Sequence, residues 1–233
     1  MRRFLAAVSF LFLITSPAAS LDLSDIRDLV RFYVQDEDTN NQRFSDDRLD
    51  DVINSGHRDA VVKTLLLEKT SSFVLVGGTT CYALPTDTIH IRRVTHKDKL
   101  MAQKSIANLD STKGSQWELT TGDPQNYYIF RSTQICFYPA PVSTSTGTAK
   151  VYLSYQPNTL SSDSDEPFDG LDSAVIYHDS LVWYTVWQVL VAERRFDEAA
   201  GFAAMYLSMI EQARQTFNAN PDYMPSFGGR QRP

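Results

Sequence analysis

An α+β fold is predicted for this chain: an antiparallel helical bundle of two N-terminal and two C-terminal helices, with an antiparallel β subdomain inserted between them. Three observations carry the prediction. Apolar residues recur at helical spacing within residues 21–70 and again within 171–218. Between them, over 71–160, the period falls to two and aromatic and β-branched residues take over. A chain of 233 residues with 42% apolar and 12% aromatic residues has the means to bury such a core.

The N-terminal residues 1–20 resemble a signal peptide. Arg2-Arg3 gives a basic start, residues 4–14 are apolar, and Ser16-Pro17-Ala18-Ala19-Ser20 is a small-residue exit. The apolar run is too short to anchor a mature protein, so no membrane association is expected after cleavage at Ser20. Cleavage would remove two arginines and no acid, taking the net charge from -6 to -8.

Ser24 is the expected N-cap of the first helix, with Ile26, Leu29, Val30 and Tyr33 on one face. An acidic connection, 36–43, follows. Ser45 caps the second helix, whose apolar face holds Leu49, Val52, Ile53, Gly56 and Ala60 and continues to Leu65. A glycine on that face costs roughly 1 kcal/mol of helix propensity, so it points to close approach by another helix.

The β block starts near Ser71. Phe73, Val74 and Val76 lead through Gly77-Gly78, a hairpin-compatible turn, to Cys81-Tyr82-Ala83-Leu84, and Pro85 ends that strand. Ile89, Ile91 and Val94 resume the alternation, with His90 and Arg92 opposite. The polar stretch 97–113 has room for a short helix, and Gly122-Asp123-Pro124 is a turn. Residues 127–130, 135–138 and 149–155 read as three further strands. Cys81 and Cys136 both fall in β runs. They would pair across the sheet in an exported protein and stay small buried hydrophobes in the cytoplasm. Neither has the spacing of a zinc site.

A serine- and acid-rich linker, 161–170, returns the chain to helix. Asp172 or Ser173 caps a helix running to about Glu193, with Ile176, Tyr177, Leu181, Tyr184, Trp187 and Val191 along it. After a break at 194–197, residues 198–217 place Ala199, Phe202, Ala203, Tyr206, Ile210, Ala213 and Phe217 at helical spacing. Pro221 stops the helix. The tail, 219–233, carries Tyr223, Met224 and Phe227 without periodicity and with nothing local to bury them, which leaves two readings, docking into a neighbouring subunit or partner, or disorder.

The chemistry-bearing patterns are weak. A net charge of -6 with no basic run excludes a sequence-independent grip on nucleic acid. Asp36, Asp38, Asn40 and Asp47 fit positions 1, 3, 5 and 12 of a calcium loop, but Asn41 and Asp47 replace its glycine and its glutamate. A solvated connection is the better reading. His57, His90, His96 and His178 are scattered, and there is no nucleophile elbow or phosphate loop. Trp183 and Trp187 read as core. No catalytic residue, cofactor or metal is expected.

The order of several motifs resembles the head-to-tail adaptor (connector or neck) proteins of tailed bacteriophages. The likeness rests on Phe44-Ser45-Asp46, on Leu84-Pro85-Thr86-Asp87 before Ile91-Arg92-Arg93-Val94, and on Trp117. Gly122-Asp123-Pro124, Tyr127-Tyr128-Ile129, Ile135-Cys136-Phe137-Tyr138-Pro139 and the stretch 151–155 complete it. It implies a non-enzymatic virion protein, assembled in the host cytoplasm as a homo-oligomeric ring, commonly of 12 subunits. Such a ring docks beneath the portal protein, meets a tail or nozzle protein and lets DNA through. It further implies that Tyr223, Met224 and Phe227 contact the portal. The competing expectation is an exported binding protein, periplasmic or secreted, with a disulfide-stabilised β subdomain.

Overall fold

The computed structural model describes residues 20–114, 116–142 and 147–218. Residues 1–19 of the signal-like segment, and the tail with Tyr223, Met224 and Phe227, lie outside the described residues. Helix α1 spans Leu23–Val34. Its cap is Asp22, not Ser24. The Asp22 carboxylate accepts from the Asp25 amide at 2.8 Å and from the Ser24 hydroxyl at 2.8 Å, while the Asp25 side chain accepts from the Asp22 amide. A carboxylate beside the positive helix end accepts more donors than a hydroxyl, which moves the start back two residues. Helix α2, Asp46–Thr64, is capped by Ser45 as predicted and buries Leu49, Ile53, Gly56 and Ala60.

The β block follows as β1 (Glu68–Val74), β2 (Cys81–Ala83), β3 (Thr88–His96), β4 (Lys99–Leu100) and β5 (Ala102–Gln103). Helix α3 (Ile106–Lys113) interrupts it, fulfilling the short helix expected there. Then come β6 (Thr121–Gly122), β7 (Asn126–Phe130), β8 (Gln134–Tyr138), β9 (Ala140–Pro141) and β10 (Thr148–Tyr155). They form two four-stranded sheets, in the orders β1-β10-β3-β4 and β2-β8-β7-β5, and a small β6-β9 pair.

The hairpin expected across Gly77-Gly78 does not form. β1 pairs antiparallel with β10, and β2 with β8, so the glycines turn a corner between sheets. Gly78 has φ 83 and its amide donates to the Pro141 carbonyl at 2.9 Å. The main pairings are antiparallel, whereas the short β5-β7 and β6-β9 pairs are parallel. In β3 the register slips opposite Tyr152 and Leu153. That bulge brings Ile91 and Val94, which sit at positions of opposite parity, to the same core.

Two 3-10 turns, Pro167–Gly170 and Asp172–Tyr177, precede α4 (Asp179–Ala192) and α5 (Phe196–Asn218). Neither Asp172 nor Ser173 caps an α-helix. Phe168 and Asp169 are both left-handed, at φ 55 and 54, so the chain enters as a tight turn and becomes α-helical only after His178. Arg194 at φ 63 turns the chain between α4 and α5.

Helix α4 is apolar on every side and packs against α1, α2 and α5. The four long helices share one buried cluster, including Ile26, Ile53, Leu181 and Tyr206. Gly56 lies where α4 comes closest: a Cβ there would fall 2.5 Å from Tyr184 Cδ1. A second cluster takes Val94, Val151 and Leu153 from one sheet and Tyr127, Ile135 and Phe137 from the other. Alternation sends Tyr128, Cys136 and Tyr138 to the opposite face of β7 and β8, where Leu109 of α3 and Trp117 cover them. Cys81 and Cys136 are directly paired residues of β2 and β8 and are joined by a disulfide.

Candidate functional site

The calcium frame does not assemble. Asp36 is buried at 4% exposure rather than solvated. One carboxylate oxygen accepts from Arg31 Nη1 at 3.0 Å and from the Phe44 amide at 3.2 Å; the other accepts from the Arg43 amide at 2.7 Å. Arg31 also donates to the Phe44 carbonyl and to Asp46 Oδ1. This is a buried, hydrogen-bonded ion pair that fixes the angle between α1 and α2, and its acceptor sites are already used. Among the described residues, no group of three or more His, Cys, Asp or Glu could hold a metal ion.

The histidines do not form a reacting set either. His57 and His178 are buried on two sides of Phe168, with ring centroids 5.2 and 5.7 Å from its ring. His57 Nε2 accepts the Phe168 amide at 2.8 Å. Burial pushes the His57 imidazole down to about 4 and also lowers that of His178. Both are neutral packing groups near pH 7. His178 occupies the N-cap position of α4 without a side-chain cap bond, and its Nδ1 lies against Leu21. His90 and His96 lie on β3, outside this cluster.

Among the described residues, two apolar surfaces are exposed to solvent. The first lies across α1, α4 and α5. Tyr33 stacks edge-on against Trp183 at 5.1 Å and Phe202 at 5.7 Å, and Phe32 joins Tyr33 at 5.4 Å. Trp183, Met205 and Met209 line a shallow depression that continues this face. Phe32 is 58% exposed. Tyr33, expected on the buried stripe, is instead exposed beside it, and Trp183 is only half-buried. Trp187 meets the core reading better, packing against Tyr184 and Tyr206. Phe32 was legible as an aromatic lying off the Ile26, Leu29, Val30 stripe.

The second surface is a concave pocket of about 400 Å³ in the β subdomain, lined by Ile106, Trp117, Leu119, Tyr128, Phe130 and Tyr138 among others. Leu119 is 76% exposed at its rim. Trp117 holds the floor: its Nε1 donates to Asp110 Oδ1 at 2.6 Å, and its ring meets Tyr128 and Tyr138 edge-on. Glu118 also lines the pocket, while Arg131 sits 5.0 Å from the Phe130 ring.

Charge divides along the same line. Residues 68–155 carry nine Lys and Arg against six Asp and Glu, a balance of +3. The described helical segments, 20–67 and 156–218, carry nine against twenty-one, a balance of -12. No helix among the described residues is long and apolar enough to cross a membrane.

An acidic helical body, a mildly basic β subdomain and two uncovered aromatic surfaces have the layout of an assembly subunit. The family comparison agrees. The chain matches the model described as SU10 adaptor protein over residues 21–230 and belongs to that family of phage head-to-tail adaptors. It is thereby a structural virion component, and the match lends the exported alternative no support. No curated protein matches the chain.

Proposed function

We propose that this protein is the subunit of a homo-oligomeric ring, of 12 copies, that docks beneath the portal protein and joins the capsid to a tail or nozzle protein while DNA passes through. The observation that carries this reading is the family match over residues 21–230, which takes in residues 219–230 of the tail. Tyr223, Met224 and Phe227 are the proposed portal contact, because aromatic and thioether side chains in an aperiodic tail are suited to a partner's groove. The acidic balance of the helical segments supports a passage role: carboxylates facing a channel repel phosphate and weaken retention of the duplex.

Purified protein mixed with the portal protein of the same virion tests the reading by sedimentation velocity and electron microscopy. A ring-sized species joined to the portal is expected. Tyr223→Ala with Phe227→Ala should abolish joining and leave the circular dichroism spectrum unchanged. A chain that stays monomeric with and without portal overturns the proposal.

A further inference from the structure

The two exposed apolar surfaces belong to segments of opposite charge balance. The aromatic face of Phe32, Tyr33, Trp183 and Phe202 belongs to the helical segments with twenty-one acids against nine bases. Asp28 lies one turn before Phe32 on α1, and Asp197 and Glu198 open α5. The pocket of Trp117, Leu119 and Phe130 belongs to the segment with nine bases against six acids. Glu118 lines it, Asp110 holds its Trp117, and Arg131 lies over its Phe130 wall.

We propose that the aromatic face of one copy docks on the aromatic pocket of the β subdomain of a second copy, head to tail. This rests on the ring reading above and names the surfaces that would build the ring. Charge decides the pairing. Two helical faces meeting each other would bring two strongly acidic bodies together, and juxtaposed like charges oppose association. Two pockets meeting would leave both aromatic faces wet. Face to pocket satisfies both surfaces in one contact and sets the acidic helical segments against the segment of positive balance.

Symmetry points the same way. A contact between two different patches propagates from copy to copy and closes into a ring when the rotation allows, whereas a patch that pairs with itself stops at a dimer. Shape also fits: Phe32 stands out from its helix at 58% exposure, and the pocket offers about 400 Å³ with edge-on aromatic walls. Exposed Leu119 at the rim is positioned to close over an inserted ring.

The test uses Phe32→Asp and Leu119→Asp in the full chain, since both side chains are largely exposed and neither change should unfold the protein. Sedimentation velocity is run across a concentration series, alone and with purified portal protein, with circular dichroism as the folding check. Each variant should raise the concentration for half-assembly about thirtyfold, the effect of losing one anchoring residue at an interface. The mixture is the sharper arm. Phe32→Asp keeps its pocket and Leu119→Asp keeps its aromatic face, so an equimolar mixture should give a one-to-one dimer that neither variant forms alone.

Loss of assembly in Phe32→Asp but not in Leu119→Asp would show a self-paired helical face and overturn the proposal. So would wild-type assembly by both variants, or a mixture that behaves as its separate components. Failure of the unaltered chain to assemble, alone or with portal, would instead remove the ring reading itself.

Discussion

Gly56→Ala should destabilise this protein, although alanine is the better helix former. In an exposed helix the change gains about 1 kcal/mol. Here the new Cβ would stand 2.5 Å from Tyr184 Cδ1 and 2.9 Å from Cγ, at the base of the ring rather than its free end. The ring has little room to retreat, with Tyr206 at 5.1 Å and Trp187 at 5.7 Å from it, centroid to centroid. Overpacking of this kind costs about 1–3 kcal/mol, and the confined ring puts it at the upper end. The net effect is a loss of about 1–2 kcal/mol, read as a lower guanidinium midpoint at unchanged slope. A drop in Tm of about 2–4 °C accompanies each kcal/mol in a chain of this size. A double-mutant cycle isolates the cause. With Tyr184→Ala already made, Gly56→Ala should become neutral or stabilising, a coupling of about 2–3 kcal/mol. A stabilising Gly56→Ala in the otherwise unaltered chain would refute the close-packing argument.

Two further outcomes follow from the buried polar groups. Asp36→Ala removes one of the two carboxylates on the buried Arg31 guanidinium, leaves the Arg43 and Phe44 amides without their acceptor and should cost about 2–3 kcal/mol, while Asp38→Ala, on the exposed part of the same connection, should stay within about 0.5 kcal/mol; equal effects in denaturant melts would discredit the ion-pair reading. The second outcome concerns pH. The His57 imidazole is lowered from 6.5 to about 4 by burial, so between those values the unfolded chain binds the extra proton. Stability from this group is therefore fully present above about pH 6.5 and is lost as pH falls towards 4, by about 3 kcal/mol in all. His178 acts in the same direction, and Asp169, His178 and Arg58 are the charged or titratable neighbours that modulate His57. Stability measured from pH 7 to pH 4 should fall less steeply in His57→Gln, and an unchanged slope would remove His57 as the cause.

What local chemistry determines was readable from the chain. The Ser45 cap, the helical stripes, the strands around Tyr127, Ile135 and Val151, and the close approach at Gly56 each follow from a few neighbouring residues. Pairings set by distant residues were not readable. Gly77-Gly78 has the composition of a hairpin turn, yet β1 finds its partner in β10 and β2 finds its own in β8, far along the chain. Asp36 sits in an acidic run that resembles a solvated face, and only the fold brings Arg31 and Arg43 onto it. Ser24 and Asp22 are both competent caps, and the choice depends on Asp25 answering back. The aromatic face as a whole has no local pattern, because its members come from three helices.

The Cys81–Cys136 bond has a mechanical consequence. It bridges a sequence separation of 55 residues that includes β3, α3 and β7, so the chain between the two cysteines is a closed covalent loop. Tension applied between the N-terminal helices and the C-terminal helices is carried through the bond and bypasses that loop. The pocket-forming residues Ile106, Trp117, Tyr128 and Phe130 all lie inside it. A pull on the chain ends that separated β1 from β10 would therefore leave the backbone of these four residues unloaded, while Tyr138, on the far side of the bond, would carry the load.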